Sequence, residues 1–121
     1  MFYAAFGSVS LHSQTLCIVK FNILNFLEWS EQVQFHLGVR DLDLTLLTNK
    51  STTIIETSSV EQRSFHKGWE RSNRLSLMLM RMTIAESFRS TIPKTDDAKK
   101  FMEFLESMSQ SNKLISQLLG H

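Results

Sequence analysis

An all-α fold is what this sequence predicts: a small bundle of four to five helices behind an irregular N-terminal leader. Three observations predict it. Apolar residues recur every three or four positions in successive stretches, cap-forming residues stand ahead of them, and strict alternation is confined to short, ambiguous pieces. At 42% hydrophobic and 21% charged, the 121 residues are too apolar and too evenly charged for a disordered chain, and they suffice for one core.

Residues 1–20 form the predicted leader. They carry no Lys, Arg, Asp or Glu before Lys20, and Val9/Leu11 and Leu16/Ile18 alternate only weakly. No basic start precedes them, and Ser8, Ser10, His12, Ser13 and Gln14 break the apolar run, so a secretory signal is not expected. The helical region is placed at 21–121. Asn25 with Glu28 three positions on gives a capping pair for a first helix over about 25–37. Within it Phe26, Trp29, Val33 and Leu37 fall within about 80° at helical pitch. Gly38 follows, where a left-handed residue closes a helix.

Residues 39–47 suit either extended chain, since Leu42, Leu44 and Leu46 alternate with polar residues, or a short turn that plugs leucines into a core. The Ser/Thr-rich run 48–59 reads as a loop. Ser58 with Glu61 then caps the longest helix, to about Met82. Phe65, Trp69, Asn73, Leu77 and Met80 line one face of it. Leu75, Met78, Leu79 and Met82 make its second half apolar nearly all round, which places it in the middle of the domain. Thr83 with Glu86 caps a short helix through Ile84, Phe88 and Ile92, ended by Pro93. Asp96 or Asp97 starts another through Ala98, Phe101, Met102, Leu105 and Met108. Ser109, Ser111 and Asn112 weaken it before a last amphipathic stretch of Leu114, Ile115, Leu118 and Leu119.

Chemistry finds little footing. Cys17 is the sole cysteine, which excludes an internal disulfide and a multi-cysteine zinc site. His66 and Glu70 share helical ligand spacing, but two ligands make a weak site. There is no Gly-x-Ser-x-Gly elbow and no glycine-rich phosphate loop, and Lys50-Ser51 lacks the glycines of one. Asp41 with Asp43 and Asp96 with Asp97 read as turn and capping residues. No enzyme, cofactor, metal or small-molecule substrate is expected. Neither is a membrane span, since the apolar runs fall far short of the ~20 residues required.

A net charge of +1 gives no bulk support to nucleic-acid binding. One local pattern does: Arg63, Lys67, Arg71, Arg74 and Arg81 fall within about 80° on the long helix, facing away from Phe65 and Trp69. Such a stripe suits RNA phosphates or an acidic partner, although no aromatic residue lies among the cations to stack on bases. A solvated helix face, eased by Glu70 nearby, is the default reading. Trp29 and Trp69 read as core. An open part of their face, joined by Leu118 and Leu119, would form an assembly surface.

The order Phe21-Asn22-x-x-Asn25-Phe26-x-x-Trp29, then Val33 and Leu37-Gly38, resembles the start of the Gag region in plant copia-type retroelements. The likeness continues through Asp41-Leu42-Asp43-Leu44, through the run from Trp69 to Leu77, and through Ile84-x-Glu86-Ser87 to Ile92-Pro93, covering roughly residues 18–108. It implies a capsid-like helical lobe that self-associates around the element's RNA in the cytoplasm, without catalysis. Asn25, Phe26, Trp29, Val33, Leu37, Trp69, Asn73, Leu77 and Met80 would serve as core or motif residues, and Leu114, Ile115, Leu118 and Leu119 as the self-association contact. Four departures suggest a truncated or degenerate copy. Ile23 stands where the family has glycine, so a strained or reshaped turn is expected there. The leader is unlike the family's start, the chain looks compressed beyond Met108, and a zinc knuckle is missing. An RNA-binding module or an inert relic are the alternative readings.

Overall fold

The computed structural model describes residues 17–49 and 53–119, so most of the predicted leader lies outside the described residues. Five helices follow in order: α1 Phe26–Val39, α2 Leu44–Leu47, α3 Val60–Met82, α4 Glu86–Arg89 and α5 Ala98–Leu118. The fold is all-α. Among the described residues the β pairing amounts to an isolated parallel bridge between Phe21 and Ile84. Helices α1, α3 and α5 pack against one another, and α2 wedges against α3 and α5.

The core side of α1 follows its three-and-four spacing, with Trp29, Val33 and Leu37 fully buried. Its ends differ from expectation. Asn25 makes no capping bond into the helix. Its Oδ1 accepts from the Asn22 N–H (3.0 Å) and its Nδ2 donates to the Lys20 carbonyl (2.8 Å), so the side chain is turned backward and the pair with Glu28 does not form. Gly38 stays inside the helix, and the left-handed residue is Asp41 (φ 56°). The Leu42 N–H bonds to the Leu37 carbonyl (2.8 Å) and the Asp41 N–H to that of Gly38 (3.1 Å), the two bonds of a Schellman closure. Leu37 and Leu42, both buried, supply its apolar contact. What Gly38 provides is room, since a Cβ there would stand 3.3 Å from Asp43 Oδ2.

The leucine-rich segment becomes the single turn α2, with Leu42 and Thr45 buried. Gly68, Ser72 and Ser76, four residues apart on α3, are small enough to let α2 approach. A Cβ on Gly68 would still lie 3.9 Å from a Leu44 methyl. The Ser72 hydroxyl donates to the Leu42 carbonyl (2.6 Å) and accepts from the Thr45 N–H (2.9 Å), and Ser76 donates to the same carbonyl (3.0 Å). Asn73 extends the network. Its Oδ1 accepts from Thr45 Oγ1 (3.2 Å) and from the Ala98 N–H (2.7 Å), while its Nδ2 donates to the Asp96 carbonyl (2.5 Å).

Helix α3 starts one residue later than expected. Ser59 is the cap and Gln62 its partner, through reciprocal bonds of 3.0 and 2.8 Å. Ser58 is spent on the loop, where its hydroxyl accepts from the Ile55 N–H (2.9 Å). The first two turns of α3 project past the covering elements, which leaves Phe65 42% exposed despite its apolar register. Met78 is 45% exposed, so the second half of α3 is not buried all round.

Thr83, fully buried, ties three segments together. Its hydroxyl lies 3.0 Å from both the Leu79 and Met80 carbonyls and accepts from Trp29 Nε1 (2.9 Å). Its carbonyl accepts from the Phe21 N–H (2.8 Å), and the Phe21 carbonyl accepts from the Ala85 N–H (3.0 Å). With that hydroxyl occupied, Thr83 does not cap α4. Ala85 takes the position without a side-chain bond, and α4 ends at Arg89, short of Ile92. Ahead of α1, Ile18 and Phe21 are buried in the core, and the Val19 N–H bonds to Gln32 Oε1 (2.8 Å). Part of the sequence assigned to the leader therefore packs as a strap. Asp97 caps α5 through the Lys100 N–H (3.1 Å). That helix runs unbroken through Ser109, Ser111 and Asn112, so the two C-terminal stretches are one element.

Candidate functional site

The end of α5 is the most distinctive surface. Ala98, Phe101 and Leu105 are buried, Met102, Phe104 and Met108 pack at the core's edge, and no residue beyond Met108 is buried as far as Leu119. About 15 Å of helix thus extends past the core. At 100° per residue Ile115 and Leu119 continue the line of Phe101, Leu105 and Met108, while Leu118 and Leu114 stand about 100° and about 140° round the helix from Phe101. The four are 56–79% exposed. The seam that holds α5 to the bundle therefore continues onto a stretch where no described residue covers it.

Of the five cations in the predicted stripe, two have structural work. Arg63 donates to the carbonyls of Ile55 (2.7 Å), Glu56 (3.2 Å) and Ser58 (3.3 Å), pinning the loop ahead of α3. Arg81 donates to the Thr95 carbonyl (2.6 Å), and its guanidinium stands 5.8 Å from the centre of the Phe101 ring. Lys67, Arg71 and Arg74 are exposed and make no side-chain hydrogen bond among the described residues. Arg74 joins Lys100, from the first turn of α5, along an open groove of about 560 Å³ that Trp69, Asn73 and Asp97 also line. Reading α3 alone does not reveal Lys100, because it arrives from another helix. Glu70, Asp96 and Asp97 bring three carboxylates to the same groove, so it is not strongly cationic.

The remaining candidates take structural roles. Phe26 and Leu77 pack with Trp29, Val33, Leu37 and Met80 in one cluster. Trp69 is buried on the groove side, and its Nε1 is a buried side-chain donor without a hydrogen-bond partner among the described residues. His66 Nε2 lies 3.2 Å from Glu70 Oε1, a helix-surface pair, and no group of three or more metal-ligating side chains occurs among the described residues. Asp41 closes α1 and Asp97 caps α5, while Asp96 offers its carbonyl to Asn73. No helix among the described residues is long and apolar enough to cross a membrane. Searches against protein-family models, curated proteins and solved structures find no match to this chain.

Proposed function

We propose that the chain is a Gag capsid-like fragment of a copia-type retroelement that acts by self-association through the end of α5, without catalysis. The exposed apolar seam of Ile115 and Leu119, with the exposed Leu118 and Leu114 further round the same helix end, carries this reading. The all-helical fold is of the class that the resemblance implies. A symmetric pair of α5 ends would cover Ile115, Leu118 and Leu119 of both copies at roughly 1–2 kcal/mol each, set against an association cost of about 4–15 kcal/mol. The two terms are of similar size, so the expected self-association is weak and is to be sought at high concentration. Size-exclusion chromatography with light scattering, across a concentration series to about 1 mM, tests it. The mass should climb with concentration and fall back at once on dilution. Paired Ile115→Lys and Leu118→Lys substitutions should hold it at one chain with helical circular dichroism unchanged. A wild-type monomer throughout would overturn the proposal.

RNA binding is the second reading, favoured by the unengaged Lys67, Arg71 and Arg74 and by Lys100 beside them. It requires affinity for single-stranded RNA that falls steeply with salt and is lost when Lys67, Arg71 and Arg74 are all changed to Glu. Salt-insensitive or absent binding would remove it.

A further inference from the structure

The strap that enters the core at residues 18–21 is joined to α1 by a very short turn, and that turn holds a residue unsuited to it. Ile23 has φ 76°, in the left-handed region where a β-branched side chain is an outlier. On one side of it Phe21 is fully buried, sits edge-on to Trp29 (5.3 Å between centroids) and makes both bonds of the bridge to Ile84. On the other side α1 begins three residues later, with Trp29 equally buried. Between two fixed ends the turn cannot relax without releasing the strap.

We infer that the strap is exchangeable between copies of this chain, giving a domain-swapped dimer in which Phe21 of one protomer docks beside Thr83 and Ile84 of the other. The exchange preserves the core contacts of Ile18 and Phe21 and changes only the hinge at Asn22–Leu24, where Ile23 gives up its packing at the core's edge. Once the hinge is extended, Ile23 enters the β region that its branched side chain favours. A short hinge under strain is the setting in which swapping is expected. Two further observations bear on the balance. The bonds that close the turn, from the Asn22 N–H to Asn25 Oδ1, from the Leu24 N–H to Asn22 Oδ1 and from Asn25 Nδ2 to the Lys20 carbonyl, are all exposed, so water replaces them at small net cost. Leu24 and Leu27 flank the hinge at 80% and 71% exposure, and two hinges running side by side would cover them.

The swapped dimer is independent of the α5 end and differs from it kinetically. Strap release must precede exchange, so a dimer formed by concentrating the chain should dissociate more slowly on dilution than a contact between exposed α5 ends. Relative to Ile23→Ala, which loses the same side chain, Ile23→Gly removes the strain of the closed turn, about tenfold per hinge, so the dimerisation constant should fall roughly a hundredfold, because each dimer has two. Ile115→Lys with Leu118→Lys should leave this slow dimer in place. Val19→Cys with Gln32→Cys, in a Cys17→Ser background and joined by a flexible bismaleimide, reports the exchange directly, since the Val19 N–H bonds to the Gln32 side chain across the strap–α1 contact. Cross-linking of the isolated dimer should give covalently linked chains on a denaturing gel. A dimer fraction that yields only internally bridged monomers would overturn the swap. So would a dimer abolished by the α5 substitutions and untouched by Ile23→Gly, a result that would support the proposed α5 contact instead. The absence of any slowly exchanging dimer would overturn the swap alone.

Discussion

Thr83→Val isolates the hydrogen bond at the centre of the fold. Valine keeps the branched shape of threonine and removes the hydroxyl, which accepts from Trp29 Nε1 at 2.9 Å. Both residues are fully buried, so the indole N–H is left with neither a protein partner nor water. An orphaned buried donor costs about 1–3 kcal/mol, and no cavity forms to confuse the reading. Thr83→Ser is the counterpart: it keeps the hydroxyl and loses one methyl, at about 1 kcal/mol. Packing alone would rank valine as the milder change, whereas the hydrogen bond ranks serine as the milder. Urea unfolding followed by tryptophan fluorescence suits the question, because Trp29 and Trp69 are both buried. With a slope of about 1–3 kcal/mol per molar, a loss of about 2 kcal/mol lowers the midpoint by roughly 1 M. Trp29→Phe should make the cost of Thr83→Val vanish, since no N–H remains to orphan. A Thr83→Val midpoint at or above that of Thr83→Ser would refute the reasoning.

At Ile23 the usual ranking of glycine and alanine should invert. Both variants lose the partly buried side chain, but only glycine escapes the left-handed strain, so Ile23→Gly should be more stable than Ile23→Ala by about 1 kcal/mol in urea unfolding, and equal midpoints would contradict the positive φ. Gly68→Ala should go the other way, raising stability by about 0.5–1 kcal/mol, because the site is mid-helix and the added methyl meets Leu44 at an ordinary 3.9 Å. Ser72→Ala should cost about 1–3 kcal/mol by leaving the Thr45 N–H unpaired, while the Leu42 carbonyl keeps its bond from Ser76. Thermal melts by circular dichroism would show the two shifts with opposite signs.

The sequence by itself determined the fold class, helices α1 and α3, the first half of α5 and most of the buried face of each, whereas the continuity of α5 through Ser109, Ser111 and Asn112 came from the structure. Those properties follow from apolar period, and period survives any packing arrangement: Trp29, Val33, Leu37, Leu77, Met80, Phe101 and Leu105 are buried where their spacing put them. Hydrogen-bond partners were less legible, because a polar side chain near a helix end has several acceptors in reach and tertiary contacts choose among them. Asn25 and Thr83 both stand at cap positions, yet the strap draws one backward and the indole of Trp29 claims the other. The closing residue of α1 moved from Gly38 to Asp41 because Leu42 had to reach the core. The cation stripe was visible as an angle, but which cations remain unengaged depends on loop carbonyls that fold back on Arg63 and Arg81. The exposure of Leu114, Ile115, Leu118 and Leu119 belongs to tertiary structure alone. Ile115 and Leu119 fall on the line of the buried seam, and only the extent of the covering helices decides that they meet solvent.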